Sequence, residues 1–187
     1  MKKFFLAFMT AVCTLGTATA PMAQAADFSQ LNETKVQLED TLNASTFQTA
    51  FNKNCAYPIA GNLQEQTHGN YLSYLGNIDN SNAMIINANQ AGKLSNIVLM
   101  HRGALDEQET QKLRTIFDST LKTIGMPADT NGLFFANQAF DQLAVTDKEV
   151  SAARLSFQVN DRTLTFLKSV NPDKQLTAIV IQAVVAN

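Results

Sequence analysis

Residues 152–185, AARLSFQVNDRTLTFLKSVNPDKQLTAIVIQAVV, decide the fold. Ala153, Leu155, Phe157 and Val159 alternate with Arg154, Ser156, Gln158 and Asn160, the two-residue period of a half-buried strand. Asn160-Asp161 turns that strand into a second over Arg162–Val170. Asn171-Pro172-Asp173-Lys174 then turns the second into a third over Leu176–Val185. Turns this short join antiparallel neighbours, so the stretch predicts a three-stranded meander. The third strand lacks a polar face: Ile179, Val180, Ile181, Ala183, Val184 and Val185 are apolar at both phases. It is expected to lie centrally or to cover a second hydrophobic layer.

Two helices are predicted ahead of this meander. Asp106 and Glu109 open one whose Leu113, Ile116, Phe117, Leu121 and Ile124 form a continuous apolar stripe, stopped by Gly125 and Pro127. The other covers about Leu133–Ala144, with Phe134, Phe135, Phe140 and Leu143 apolar. The preceding half of the chain repeats this order. Phe28, Leu31, Lys35, Leu38 and Leu42 fall at spacings of three and four, which predicts a helix over 28–42. Ser45 with Gln48 reads as a capping box opening a short helix with Phe47 and Phe51 on one face. Cys55 to Asn70, with Pro58, Gly61 and Gly69, reads as loop. Strands are expected at Tyr71–Gly76, Ala83–Asn89 and Leu94–His101.

Corresponding landmarks are similarly offset: Phe28 to Asp106 by 78, Tyr71 to Ala152 by 81, Leu94 to Leu176 by 82. This is a repeat of pattern, which duplication or two ordinary α+β stretches would both produce. The expected fold class is α+β: a tandem repeat of helix-helix-strand-strand-strand units, with one antiparallel sheet and helices packed on one face. The halves are drawn at 26–103 and 104–187 and are expected to share one compact domain. Strand edges of the two would pair across the middle, leaving a broad polar open face.

Residues 1–25 read as a secretory signal peptide that is removed. Lys2 and Lys3 form its positive end, Phe4 to Leu15 its short apolar stretch, and Ala23-Gln24-Ala25 its cleavage site ahead of Ala26. Cys13 is preceded by Thr10-Ala11-Val12, a poor fit to a lipid-attachment box, so release into the periplasm or medium is expected. Without Lys2 and Lys3, twelve of the fourteen basic side chains remain against sixteen acidic ones, a net charge of −4. The basic residues are scattered, which argues against nucleic acid and against anionic membrane surfaces. With no second apolar run of spanning length, no stable membrane anchor is expected. Cleavage leaves Cys55 as the lone thiol, so an intramolecular disulfide is impossible. Cys55 is expected to be buried and inert, the alternatives being an intermolecular disulfide or a reactive thiol.

Tandem helix-helix-sheet order resembles the architecture of the β-lactamase inhibitory proteins. Each half resembles the small outer-membrane assembly lipoproteins; Leu121-Lys122-Thr123-Ile124-Gly125-Met126-Pro127 is similar to their helix-ending Gly-x-Pro. The resemblance implies an α+β fold by element order and assigns no site residue.

Chemistry-bearing residues are few. Cys55 with His68 or His101 is the one Cys/His combination, with Asp79 a carboxylate able to orient a base. Their spacing matches no nucleophile or metal motif, so no catalytic residue, metal ligand or cofactor is expected. All three tyrosines, Tyr57, Tyr71 and Tyr74, fall in one short region, and tyrosine is enriched at interfaces. His101 and Arg102 at a strand end make a second candidate. The expected function is a non-catalytic periplasmic or secreted protein-binding module of inhibitor, immunity or envelope-assembly type, whose partner is another envelope or secreted protein. The alternatives are a periplasmic carrier of a small apolar ligand and, third, a thiol enzyme using Cys55.

Overall fold

The computed structural model describes residues 33–36, 42–68, 71–125, 140, 152–159, 162–171 and 174–186. Its elements are β1 (Glu33–Val36), α1 (Ala44–Asn54), β2 (Ala60–His68), β3 (Tyr71–Asn77), β4 (Asn82–Asn89), β5 (Leu94–Arg102), α2 (Glu107–Thr123), β6 (Ala152–Val159), β7 (Arg162–Asn171) and β8 (Leu176–Ala186). The fold is α+β, with the strands in one eight-stranded antiparallel sheet ordered β2-β3-β4-β5-β8-β7-β6. β8 is central, as its two-sided apolar sequence predicts. It pairs with β7 along one edge. Along the other it pairs with β5 as far as Gln182, then with β1 from Ala183 to Ala186. Each group of three strands forms its expected meander, and the two meet where β5 joins β8, with Val98 opposite Val180.

Both helices pack into one core with alternate residues of the central strands. Phe47 and Phe51 of α1 stack at 5.8 Å. Leu113, Ile116, Phe117 and Leu121 of α2 join them over Met84, Ile86, Ile97, Leu99, Ile179 and Ile181. Phe117 also meets Phe140 and Phe166, at 5.6 and 5.5 Å. Each such buried ring contributes roughly 1.5–3 kcal/mol of transfer free energy. Asp106 caps α2 by accepting the Glu109 N–H at 2.8 Å, and Gly125, φ +79°, takes the left-handed turn past its end. Gly76 of β3 has no room for a side chain: a Cβ there would lie 2.8 Å from Ile59 Cγ2. That contact seats the loop after α1 on the sheet.

Four expectations need correction. Glu33–Val36, inside the helix expected over 28–42, is strand β1. The first half thus has a strand where its leading helix was expected, and the rest of that span lies outside the described residues except for Leu42. β8 runs past the end of β5, and its unpaired backbone groups outweigh a local three–four spacing. Helix α1 is capped by Asn43 rather than Ser45: Asn43 Oδ1 accepts from Thr46 N while Thr46 Oγ1 accepts from Asn43 N, both at 2.9 Å. Within the expected loop 55–70, Ala60–His68 is strand β2. It ends the strand order, and its largely exposed polar side chains carry no apolar alternation to read.

The sheet face away from the helices is not broadly wet. Leu75, Ile85, Val98 and Met100 are buried there, because β4 and β5 are apolar at both phases. A polar row crosses this face through successive register partners: Ser73, Asn87, Asn96, Gln182 and Thr165. Ser73 Oγ donates to Asn87 Oδ1, and Asn87 Nδ2 donates to Asn96 Oδ1 at 2.6 Å. A one-residue slip would break both bonds, so the row pins the register. Among the described residues, no helix is long and apolar enough to cross a membrane. The helix expected over Leu133–Ala144 lies outside the described residues apart from Phe140, and the signal peptide wholly so.

Candidate functional site

Antiparallel order brings one end of β2, β3, β4, β5 and β8 together with the α1–β2 loop, the β3–β4 hairpin and the β5–α2 loop. The hairpin at that end is built by Asp79. Its Oδ1 accepts from Ser81 N at 2.8 Å and Asn82 N at 2.7 Å, the Asx turn that an Asp-Asn-Ser-Asn run favours. Asn82 opens β4 and is buried. Its Nδ2 donates to both Asp79 oxygens at 3.1 Å and to Glu109 Oε2 at 3.3 Å. Its Oδ1 faces His101 Nδ1 at 3.1 Å. An amide oxygen only accepts, so this contact places the ring proton on Nδ1.

Helix α2 closes the network. Glu109 stands in its first turn, with Lys112 one turn on. Lys112 Nζ donates to Glu109 Oε1 at 2.8 Å and to Asp79 Oδ2 at 3.2 Å, tying helix to hairpin. The hydrogen bond from Lys112, against a smaller opposing effect of burial, holds the Glu109 carboxyl below its ordinary value. Burial alone would raise Asp79. The N–H donors of Ser81 and Asn82, with Lys112, outweigh it and hold Asp79 low as well. Bonding to Glu109 in turn raises the Lys112 ammonium, opposed by burial and helped by Asp79.

Tyr57 covers this cluster. The Lys112 ammonium lies 5.8 Å from its ring centroid, within cation–π range. Its loop is held from behind: Asn52 of α1 accepts from Ile59 N at 2.8 Å and donates to Ile59 O at 3.1 Å. Cys55 Sγ accepts from Tyr57 N at 3.4 Å. Tyr57 and Leu105 are the exposed large hydrophobics among the described residues, and Leu105 directly precedes the cap of α2.

The sequence candidates are thus partly gathered and partly dispersed. Tyr57 and His101 belong to one network through Lys112 and Glu109. Arg102 is exposed beside it, its backbone N–H bonded to Ser81 O at 2.8 Å. Tyr71 and Tyr74 lie on opposite faces of β3, and Tyr74 is half-buried against the core. Burial, followed by the charge and hydrogen bond of its β2 partner Glu65, raises the Tyr74 hydroxyl. Cys55 is buried. Asp79 reaches His101 only through Asn82. Glu109 Oε2 stands 3.7 Å from Nδ1, beyond a good hydrogen bond. Sequence reading missed Asn82 and Lys112. Their signals were the hairpin composition and the three-residue spacing of Glu109 and Lys112.

Chemically, the arrangement is a rigid polar clamp under an exposed aromatic ring. His101 is 1% exposed, so as it stands the imidazole serves to position its neighbours. No group of three or more His, Cys, Asp or Glu among the described residues is arranged to hold a metal ion. Fold and site together define an antiparallel α+β protein with a closed polar network at one end of its sheet. No family model, curated protein or solved structure matches the chain.

Proposed function

We propose that this protein is a secreted or periplasmic, non-catalytic protein-binding module that docks another envelope or secreted protein through the Tyr57 end of its sheet. The observation that carries the reading is the Tyr57 ring itself, exposed above a Lys112 held by two carboxylates. An aromatic side chain held before the partner arrives loses little freedom on binding, and such rings dominate interface energetics. Leu105, at the same end, adds apolar area. The signal-like sequence of residues 1–25 supports a location outside the cytoplasm.

Tandem duplication is part of the same proposal. β5 reads Leu94-Ser95-Asn96-Ile97-Val98-Leu99, and β8 reads Leu176-Thr177-Ala178-Ile179-Val180-Ile181 at the offset of 82. At that offset Val98 corresponds to Val180, and these two residues face each other in the ladder, as a pseudo-twofold axis between equivalent strands requires.

The test is capture from envelope extract under non-reducing conditions, with tagged wild-type protein and a Tyr57→Ala variant whose folding is checked by circular dichroism. One stoichiometric partner surviving moderate salt is expected. Its affinity should fall at least about fivefold in Tyr57→Ala, or ~1 kcal/mol. Equal capture by both proteins contradicts the proposed surface. Loss of the partner on reduction would move the contact to Cys55.

A further inference from the structure

We infer that His101 is a proton-operated latch: neutral, it holds the β3–β4 hairpin against the first turns of α2, and on taking a second proton it releases it. This goes beyond the binding proposal and does not rest on it. The ring is almost wholly enclosed, and its hydrogen bond among the described residues is the one from Nδ1 to Asn82 Oδ1. Nε2 is then the nitrogen bearing the lone pair. It is buried, and no donor or acceptor of the described residues lies within hydrogen-bond distance of it. Gly103, φ +121°, stands before it; a Cβ there would be 3.7 Å from Nε2. A bare lone pair in such a place is tolerable. A charged N–H without an acceptor is far more costly.

Neighbouring charges decide whether that penalty is offset. From α2, Glu109 Oε2 approaches Nδ1, the nitrogen that already carries a proton. Its charge is shared with Lys112. From the hairpin, Asp79 meets Asn82 and Lys112 rather than the ring. Thr177, the cross-strand neighbour on β8, is uncharged. Arg102, the next residue, is a further cation, and Asp106 is engaged in capping α2. The carboxylate nearest the ring is therefore shared with Lys112; it attracts the imidazolium charge through Nδ1 but gives the new Nε2–H no acceptor.

Release would be felt across the hairpin, because Asn82 is the shared partner of His101, Asp79 and Glu109. Withdrawing the ring leaves the Asn82 oxygen unpaired beside the amide nitrogen that joins β4 to α2. The Arg102 N–H bond to Ser81 O, which ties β5 to the hairpin, is next in line.

Assigned NMR spectra of the uniformly 15N-labelled protein test the latch, with ring nitrogens and amide exchange followed in the same samples as pH is lowered. The expected start is the Nδ1–H tautomer. Protection factors of Ser81, Asn82 and Arg102 should then fall roughly tenfold or more in step with protonation of the ring, while core strand amides stay protected. His101→Asn, which keeps a donor toward Asn82 without a titrating ring, should lose that step. A ring that protonates with these amides still protected overturns the latch. So does protection lost only as Asp79 and Glu109 titrate, or a ring that stays neutral until the whole sheet exchanges.

Discussion

Counted outward from Val98 and Val180, two cross-strand pairs hold matching places in the sheet and are chemically opposite. Three residues past Val98, His101 pairs with Asn82 on β4; three past Val180, Ala183 pairs with Leu164 on β7. Asn82, His101 and Leu164 take the helix-side phase of their strands. Leu164 is simply buried in the core beside Phe166. Asn82 and His101 are buried too, with the Asn82 amide donating to Asp79 and Glu109 and its oxygen facing the ring. An apolar pair is thus enough to build this position. The polar pair adds direction, not net stability: it binds a hairpin, a helix start and, through Lys112, the Tyr57 ring into one unit.

Substitutions that exchange the two characters should break the comparison most sharply. Leu164→Asn is expected to cost the most, about 3 kcal/mol or more, because it removes core contacts and buries an amide among apolar neighbours. Denaturant unfolding at neutral pH measures it. Asn82→Leu alone should cost roughly 2–3 kcal/mol by the same assay, since it leaves the His101 Nδ1–H without its acceptor in a sealed site. Asn87→Ala, in the polar row of the opposite face, should cost about 1–2 kcal/mol. It strips a partner from the fully buried Ser73, while half-exposed Asn96 can turn to water.

Lys112→Met should have the smallest effect, at most about 1 kcal/mol, because the ion pairs it removes are partly exposed. Its signature lies in acid. Asp79 and Glu109 have native values below their unfolded ones, so their contribution is complete above the unfolded values. It is lost as pH falls through the native ones, below about pH 4. Lys112→Met should flatten that acid limb, read from unfolding midpoints between neutral pH and about pH 3.

The legible parts of the chain were those whose pattern is repeated by many residues. Alternation in 152–159, turn residues at 160–161 and 171–174, and the two-sided apolar run of β8 led to the right strands, partners and central position. The stripe from Leu113 to Ile124 marked α2 with its cap and stop. What escaped was decided by distant groups. β1 forms because β8 outruns β5, and nothing local in Glu33–Val36 says so. β2 is an edge with polar residues on it, and a polar edge strand looks like loop. At the site, His101, Tyr57 and Arg102 stood out by residue type. Asn82 and Lys112 are ordinary residues whose meaning lies in a hairpin meeting a helix that starts 25 positions after Asn82. The far face is not broadly polar because Ile85 and Val98 put buried apolar side chains at the phase that a one-sided strand leaves wet.

The central claim is that the Asn82–His101 pair is replaceable for stability and kept for what it ties together. Denaturant unfolding of the Asn82→Leu, His101→Ala double variant tests it most directly, since it copies the Leu164–Ala183 pair into the matching place. The account predicts a stability within about 1 kcal/mol of wild type, well above Asn82→Leu alone, because removing the ring removes the stranded donor. A double variant that loses as much as the two single substitutions summed would contradict it and make the polar pair a structural necessity.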